Sequence, residues 1–220
     1  MKKAVSEIIA AVLIVTITIG LTSTAYIWGK PLIEKRQEAT TTERVYNKLS
    51  QTNENSLSKT IEDVANNRGI KTFTIDADGI WTLDETNDYI TFSFPSKTSN
   101  IAVTTTPISF TAGVQCVIDG GKIVPSPVNG TSGQDSPSVV CAKAVRQGDV
   151  FVITYTIIFR EIYNNPFSQT ASGFKIDLVK DPTGLTTSSG RTVKISYGDT
   201  TQEVIGGKTL IKRQVKILLI

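Results

Sequence analysis

The feature that most constrains this chain is one long apolar segment near its N-terminus. Residues 8–29, 22 in all, contain no charged side chain. A helix of that length spans roughly 33 Å, which is enough to cross a hydrocarbon core of about 30 Å. A buried core helix is usually shorter and rarely lies at the extreme N-terminus of a domain. We therefore predict that this apolar segment spans a membrane.

Two details indicate that the apolar segment is retained in the mature protein. A secretory signal has an apolar region of about 7–15 residues that ends in small residues at its cleavage site. Here the apolar run is longer and is followed by Lys30 and Pro31. Tyr26 and Trp28 also occupy the end of the segment, where aromatic side chains commonly meet the membrane interface. The hydroxyls of its threonines can bond to the preceding helical turn and are therefore tolerable in lipid.

The composition excludes several kinds of catalytic site and metal site. The 220 residues include no histidine, which excludes Ser/His/Asp and Cys/His catalytic sites and the HExxH zinc site. The 23 basic and 20 acidic residues leave a formal net charge of only +3, so we expect no nucleic-acid partner. We also expect no catalytic residues, no metal site and no cofactor, and we predict that the protein is not an enzyme.

Two acidic groups are candidates for metal binding or catalysis. Asp76, Asp78 and Gly79 resemble part of a calcium loop, but the glycine comes too early and the bidentate glutamate position is missing. A hairpin turn explains them better. The nearby acidic residues at positions 84, 85 and 88 could act as paired carboxylates in a glycosidase. A solvated turn is the more common cause of such a cluster, and we predict one here.

The pattern of apolar residues predicts that the long helix continues as a stalk, and that a short second helix and then strands follow. Polar helix continues after the apolar segment to about Gln51, and a second helix is predicted from the spacing of Leu57, Ile61 and Val64, with Gly69 after its last turn. From residue 70 onward the period is two, which is typical of strands. The alternating apolar sets are Phe73 and Ile75; Ile90, Phe92 and Phe94; Phe151, Ile153, Tyr155, Ile157 and Phe159; Phe174, Ile176 and Leu178; Val193, Ile195 and Tyr197; and Val215, Ile217 and Leu219.

These patterns predict an α+β fold, in which a long N-terminal hydrophobic α-helix is followed by a β-rich, sandwich-like globular head. The predicted organisation has a leader peptide at residues 1–3, a membrane or filament-core helix with a stalk at residues 4–52, and a β-rich extracellular head at residues 53–220. The longest loop-like stretch, residues 119–137, is rich in Gly, Pro and Ser.

Two features place the head outside the cell. Cys116 and Cys141 are the two cysteines of the chain, and an extracellular setting favours a disulfide between them. Asn129, in the sequence Asn-Gly-Thr, is an N-glycosylation sequon that lies between them. The alternative for the cysteines is two buried thiols that behave as small apolar side chains.

The N-terminus resembles that of a known family. The sequence Met1-Lys2-Lys3-Ala4-Val5-Ser6-Glu7, followed directly by Ile-Ile-Ala-Ala-Val-Leu, resembles the class III signal peptide and helix start of archaeal type IV pilins. The resemblance covers about 30 residues. It implies a structural subunit of an extracellular adhesion filament, anchored in the membrane before assembly and then packed against other copies through its apolar helix.

The resemblance also implies particular roles for the first residues. A prepilin peptidase would cleave between Lys3 and Ala4, although a cut one residue earlier would restore the glutamate spacing of bacterial pilins. A glutamate in an apolar filament core needs a partner, and the free amino group of Ala4 in a neighbouring subunit is the obvious one for Glu7. Small side chains on the helix would let the backbones of neighbouring subunits approach closely.

Three alternatives remain open from the sequence. The first is a single-span membrane-anchored extracellular binding protein that does not polymerise. The second is an archaellin, the subunit of a motility filament, although that family usually begins its helix with Gly-rich motifs. The third is an anchored or secreted hydrolase that uses the carboxylates between Asp76 and Asp88. Leader cleavage separates the filament subunits from the other two classes.

Overall fold

The structure is a computed structural model that describes the backbone of residues 2–116, 118–119, 122–123, 126–165, 167–168 and 170–220. Side chains are described for the same residues except 2–8, 118–119 and 122–123. The chain divides into two compact units, one ending at Thr40 and the other, which we call the head unit, running Thr41–Ile220.

The described elements begin with two helices and continue as strands. The helices are α1 (Lys2–Leu49) and α2 (Leu57–Asn67). The strands are β1 (Ile70–Thr74), β2 (Ile80–Asp84), β3 (Tyr89–Ser96), β4 (Ile108–Ser109), β5 (Ile118–Asp119), β6 (Lys122–Ile123), β7 (Val128–Asn129), β8 (Ser138–Gln147), β9 (Val150–Phe159), β10 (Ile162–Tyr163), β11 (Ser172–Lys180), β12 (Thr187–Ser188), β13 (Thr192–Ile205) and β14 (Lys208–Leu219).

Helix α1 is one helix from the apolar segment into the polar residues that follow it. Pro31 lies inside α1, and the helix ends at Leu49, close to the predicted end at about Gln51. The first backbone bond beyond it runs from the Ser50 amide to the Tyr46 carbonyl at 2.7 Å. Turns occupy the stretch up to Ser56, where the sequence predicted a break.

Helix α2 is a short amphipathic helix that is stabilised by a cap and a buried face. The Ser56 hydroxyl accepts a hydrogen bond from the Lys59 amide at 3.3 Å, which satisfies one of the free donors of the first turn. Leu57, Ile61 and Val64 are buried, as the spacing predicted. Arg68 is the C-cap with φ of 61°, and Gly69 follows with φ of 116°. Positive φ therefore begins at Arg68, one residue before Gly69.

The strands form two larger sheets and one small hairpin. The first sheet has the order β1-β13-β14-β11-β10-β7, and the second has the order β12-β2-β3-β9-β8-β4. The third pairs β5 with β6. Most neighbours are antiparallel, but β11 pairs with β14 in parallel over nine residues, from Ser172–Thr209 to Lys180–Ile217.

The main hydrophobic core takes side chains from both larger sheets and from the helices of the head unit. The first sheet supplies Phe73, Ile176, Ile195 and Ile217, and the second supplies Trp81, Phe92, Ile153 and Tyr155. Val45 and Leu49 at the end of α1 and Leu57, Ile61 and Val64 of α2 belong to the same cluster. Two sheets that share one core make a sandwich-like head.

These observations confirm the predicted fold class, a long N-terminal apolar helix followed by a β-rich domain with two sheets. Strand β8 was not predicted as an element, because its first five residues, Ser138 to Ala142, are all buried and show no alternation. The stretch predicted as a loop contains the two-residue strands β6 and β7 and part of β5.

Candidate functional site

The apolar part of α1 exposes its large side chains. Between Ile9 and Trp28, eleven large apolar side chains are from 52% to 80% exposed. The helix from Ile9 to Leu49 contains an 18-residue window with a mean hydropathy of 1.9, and none of that window is buried within the chain. Exposed apolar surface of this extent marks a membrane or protein contact. The helix is therefore long and apolar enough to be a membrane anchor.

The threonines of this segment satisfy their hydroxyl groups within the helix. Thr16, Thr18, Thr22 and Thr24 each donate a hydrogen bond to the carbonyl four residues earlier, at 2.8 Å in every case. A hydroxyl without a partner would be expensive in lipid or in a dry protein interface. Because their hydroxyls are bonded within the helix, these four threonines are tolerable on an apolar surface, as the sequence predicted.

Two glycines of the same helix are not required by packing against the described part of the chain. Around Gly20 and Gly29, an added Cβ would meet no atom within 4 Å. Glycine costs a helix interior about 1 kcal/mol relative to alanine. Nothing in the described part of the chain requires the small side chain at these sites, whereas close approach by another helix would require it.

The end of the apolar segment carries interfacial side chains. Trp28 is 80% exposed and Tyr26 is 66% exposed. Lys30 Nζ lies 6.0 Å from the centre of the Tyr26 ring and 3.9 Å from a carboxylate oxygen of Glu34. Aromatic and basic side chains at one level of an apolar helix are typical of a membrane interface.

The predicted processing and pairing residues belong to the first turns of α1. The helix backbone includes Lys3, Ala4 and Glu7, but their side chains lie outside the described residues. Leader cleavage and the Glu7–Ala4 pair therefore stay predictions.

The structure joins Cys116 and Cys141 in a disulfide, with their Cα atoms 6.1 Å apart. Both residues are buried, in a small cluster with Val139 and Ile158. The bond connects strand β8 to the loop that follows β4, and it confirms the pairing that the sequence predicted.

The sequon residue Asn129 is exposed at the end of β7. The next residue, Gly130, donates its amide to the Tyr163 carbonyl at 2.9 Å, and the Thr131 amide donates to Asp135 Oδ2 at 2.7 Å. The backbone around the sequon is thus held while its asparagine faces solvent, which is the arrangement that glycosylation needs. Glycosylation itself stays a prediction.

The first acidic group forms a turn. Asp78 contacts Arg191 Nη2 at 2.7 Å, and both side chains are largely exposed. An added Cβ at Gly79 would lie 2.5 Å from the Phe92 ring, so this position needs glycine for packing. Among the described residues, no group of three or more His, Cys, Asp or Glu side chains could hold a metal ion.

In the second acidic group, the prediction of a solvated turn is wrong for Asp88. Asp84 caps its own turn, with the amides of Thr86 and Asn87 each donating to its Oδ1 at 3.0 Å. Asp88, however, is only 5% exposed and accepts a hydrogen bond from the Leu178 amide at 3.1 Å. Glu85 accepts one from the Lys180 amide at 2.9 Å. These carboxylates cover backbone donors along β11.

Asp88 also contacts a lysine that the sequence did not single out. Its Oδ2 accepts a hydrogen bond from Lys175 Nζ, and the Asp177 carboxylate is near enough to raise the pKa of Asp88. The pKa of Asp88 is raised to about 6: burial is the largest cause, Lys175 lowers the pKa and Asp177 raises it. No local pattern reveals this group, because Asp88 and Lys175 are 87 residues apart in the chain.

Comparison with known proteins adds no relative: no family model, curated protein or solved structure matches this chain. The class that the fold defines is therefore a protein with an N-terminal apolar helix and a β-rich head, an architecture consistent with that of pilins.

Proposed function

We propose that this protein is a structural subunit of an extracellular filament of the archaeal type IV pilus kind, which serves in surface attachment. The observation that carries the proposal is the apolar segment of α1, whose large side chains are exposed along its whole length. In the precursor this surface faces lipid, and in the filament it packs against the same surface of other subunits.

The details of α1 support assembly as well as anchoring. Gly20 and Gly29 leave open space that a neighbouring helix can fill. The threonine hydroxyls are already bonded to their own helix, so they add no unsatisfied groups to an interface between helices. A lipid anchor does not require the two glycines, whereas the bonded hydroxyls suit lipid and a helix interface alike.

The second candidate is a single-span membrane protein whose head binds a ligand or surface without polymerising. The same apolar helix favours it, since a window of mean hydropathy 1.9 is sufficient for a span. The two functions differ in processing and in assembly, and these differences can be measured.

The test is to shear filaments from intact cells and determine the N-terminus of this chain by mass spectrometry. The proposal expects the chain in the sheared fraction with Met1, Lys2 and Lys3 removed, so that it starts at Ala4. A chain found solely in the membrane fraction, with its leader intact, would identify a plain anchor.

Glu7 provides a second test of assembly. If its carboxylate pairs with the amino group of Ala4 in a neighbouring subunit, Glu7→Gln leaves one buried charge without a partner, which commonly costs about 3–5 kcal/mol. We expect the variant to remain in the membrane but to give few filaments. The matched control is Glu43→Gln, at an exposed polar position of the same helix, which should assemble normally.

A further inference from the structure

The side chains of Lys175 and Asp88 form a contact between the two larger sheets. Asp88 is the last residue of the turn between β2 and β3 of the second sheet, and Lys175 lies on β11 of the first. The Asp88 side chain is 7% exposed and the Lys175 side chain 21% exposed. An amine and a carboxyl group are therefore held together in a site from which water is largely excluded.

The backbone holds Asp88 in one orientation. Its φ is 53°, a left-handed conformation that aspartate adopts more readily than most residues. The Leu178 amide donates to Oδ1 at 3.1 Å, which leaves Oδ2 directed at Lys175 Nζ. The carboxyl carbon is thus presented to the amine with little freedom to rotate away, and such positioning strongly accelerates reactions between neighbouring groups.

A third side chain completes the group. Asp177 lies two residues after Lys175, on the same face of β11, and its carboxylate raises the pKa of Asp88. Gln214 Nε2 holds the other side of Asp177 by donating to Oδ2 at 3.2 Å. Because two neighbouring negative charges repel, Asp177 favours the neutral form of Asp88. The site therefore holds an amine, a carboxyl group and a second carboxylate beside them.

A second lysine near the site is already engaged in another ion pair. Lys212, on the neighbouring strand β14, contacts Glu203 Oε2 at 2.8 Å, and that hydrogen bond raises the pKa of Lys212. Lys175 is consequently the amine that faces Asp88. As an ion pair the two groups would carry the cost of removing two charges from water, and an amide would not.

We propose that Lys175 and Asp88 condense into an intramolecular isopeptide bond, with Asp177 relaying the proton. A proton first passes from the Lys175 ammonium to the Asp88 carboxylate, which makes both groups neutral. The Nζ lone pair then attacks Cγ of Asp88. Asp177 takes one proton from Nζ and gives it to the departing hydroxyl, so that a C–N bond forms, a C–O bond breaks and one water molecule leaves. The reaction requires no oxidant, reductant or activated group.

The raised pKa of Asp88 supports this chemistry. A carboxylate resists attack by an amine, whereas the neutral acid accepts it, and burial together with Asp177 favours the neutral form. The bond would tie the turn after β2 to strand β11. It would thus join the two sheets covalently at a place distinct from the disulfide.

The test is tryptic mapping of the full chain, purified from membranes or filaments. Without a bond, trypsin releases Asp88 in the peptide of residues 72–97 and Lys175 at the end of the peptide of residues 161–175. With the bond, trypsin cannot cleave after Lys175. The expected product is then peptide 72–97 linked to peptide 161–180, lighter than the sum of the two by one water molecule.

Two variants locate the reaction. Lys175→Arg keeps the positive charge but lacks the amine nucleophile, and the two peptides should appear separately. Asp177→Asn keeps the size of the side chain but cannot relay a proton, and we expect the linked fraction to fall at least tenfold. Recovery of the two separate peptides in stoichiometric amount from the native protein overturns the bond. Full linkage in Asp177→Asn overturns the role of Asp177.

Discussion

Large apolar side chains are exposed in the apolar segment of α1 and buried in the core of the head unit. In the apolar segment, Val15 is 57% exposed and Leu21 is 67% exposed, and no part of the most hydropathic window is buried. In the head unit, Trp81 and Phe92 are each 1% exposed within a core shared by two sheets. Burial of a large apolar side chain contributes about 1.5–3 kcal/mol. The head obtains this stabilisation from its own chain, whereas the segment requires lipid or another protein.

The difference teaches that the two regions depend on different surroundings. A substitution on the segment should change where the protein goes and what it assembles with, and leave the head folded. A substitution in the head core should change the free energy of unfolding of the head, and leave membrane insertion intact.

The largest expected effect in the cell is loss of membrane association, which a charge on the apolar segment should cause. Val15→Asp places a carboxylate near the middle of a span, at a cost of about 3 kcal/mol, which corresponds to more than a hundredfold change in partitioning. We expect loss of membrane retention and of filaments. Alkaline extraction of membranes, followed by immunodetection of the chain, measures this.

The control for that variant is Val204→Asp in the head unit. Val204 is 69% exposed, so the two valines are similarly accessible within the chain. The control should retain membrane association and leave the fold unchanged. Equal membrane retention of the two aspartate variants would show that the segment has no special need for an apolar environment.

The second effect concerns the core of the head. Phe92 packs between Trp81 and Phe94, with ring centres 4.5 Å and 5.6 Å away. Phe92→Ala should lower the free energy of unfolding by about 3–5 kcal/mol, because it removes apolar contacts and leaves a cavity. Denaturant unfolding of the detergent-solubilised full chain, followed by tryptophan fluorescence, measures the change.

Phe167→Ala is the matched control, since Phe167 is 95% exposed. This variant should unfold at the same denaturant concentration as the native protein. A similar loss of stability in both variants would contradict the assignment of the core to the space between the two sheets.

The parts of the fold that could be predicted are those in which a local pattern determines burial. Strand β9 alternates Ile153, Tyr155 and Ile157 toward the core, and this period of two was readable from the sequence. The helix of residues 8–29 was readable from the absence of charge alone. In both cases the environment repeats with the geometry of the element itself.

The parts that could not be predicted depend on contacts between distant residues. Strand β8 is buried on both faces over its first half, so it has no alternation to read. Asp88 is buried because its turn lies against β11, about 90 residues later in the chain. Its local sequence contains several polar residues and predicted a solvated turn. The pairing of Asp88 with Lys175 is determined by sheet topology, which the sequence pattern does not contain.

The third effect tests the covalent link of the head. The disulfide Cys116–Cys141 has a sequence separation of 25 residues. In the chain-entropy model a closed loop of this size stabilises the fold by about 3.5 kcal/mol. Reduction should therefore lower the unfolding midpoint of the head, while membrane retention of α1 is unchanged. Loss of membrane retention on reduction would contradict the independence of the two regions.

The smallest effect compares one hydroxyl in each region. Ser56 is fully buried and caps α2 by accepting the Lys59 amide, so Ser56→Ala should cost the head about 1 kcal/mol. The Thr18 hydroxyl donates to the Ile14 carbonyl, which the helix backbone already satisfies. Thr18→Val removes the hydroxyl and leaves no group unpaired, so we expect no change in membrane retention or filament yield. Denaturant midpoints for the first variant and extraction assays for the second measure the pair. If Thr18→Val abolished filaments while membrane retention stayed normal, the hydroxyl would be bonding to a neighbouring subunit, and the apolar segment would depend on polar contacts as the head does.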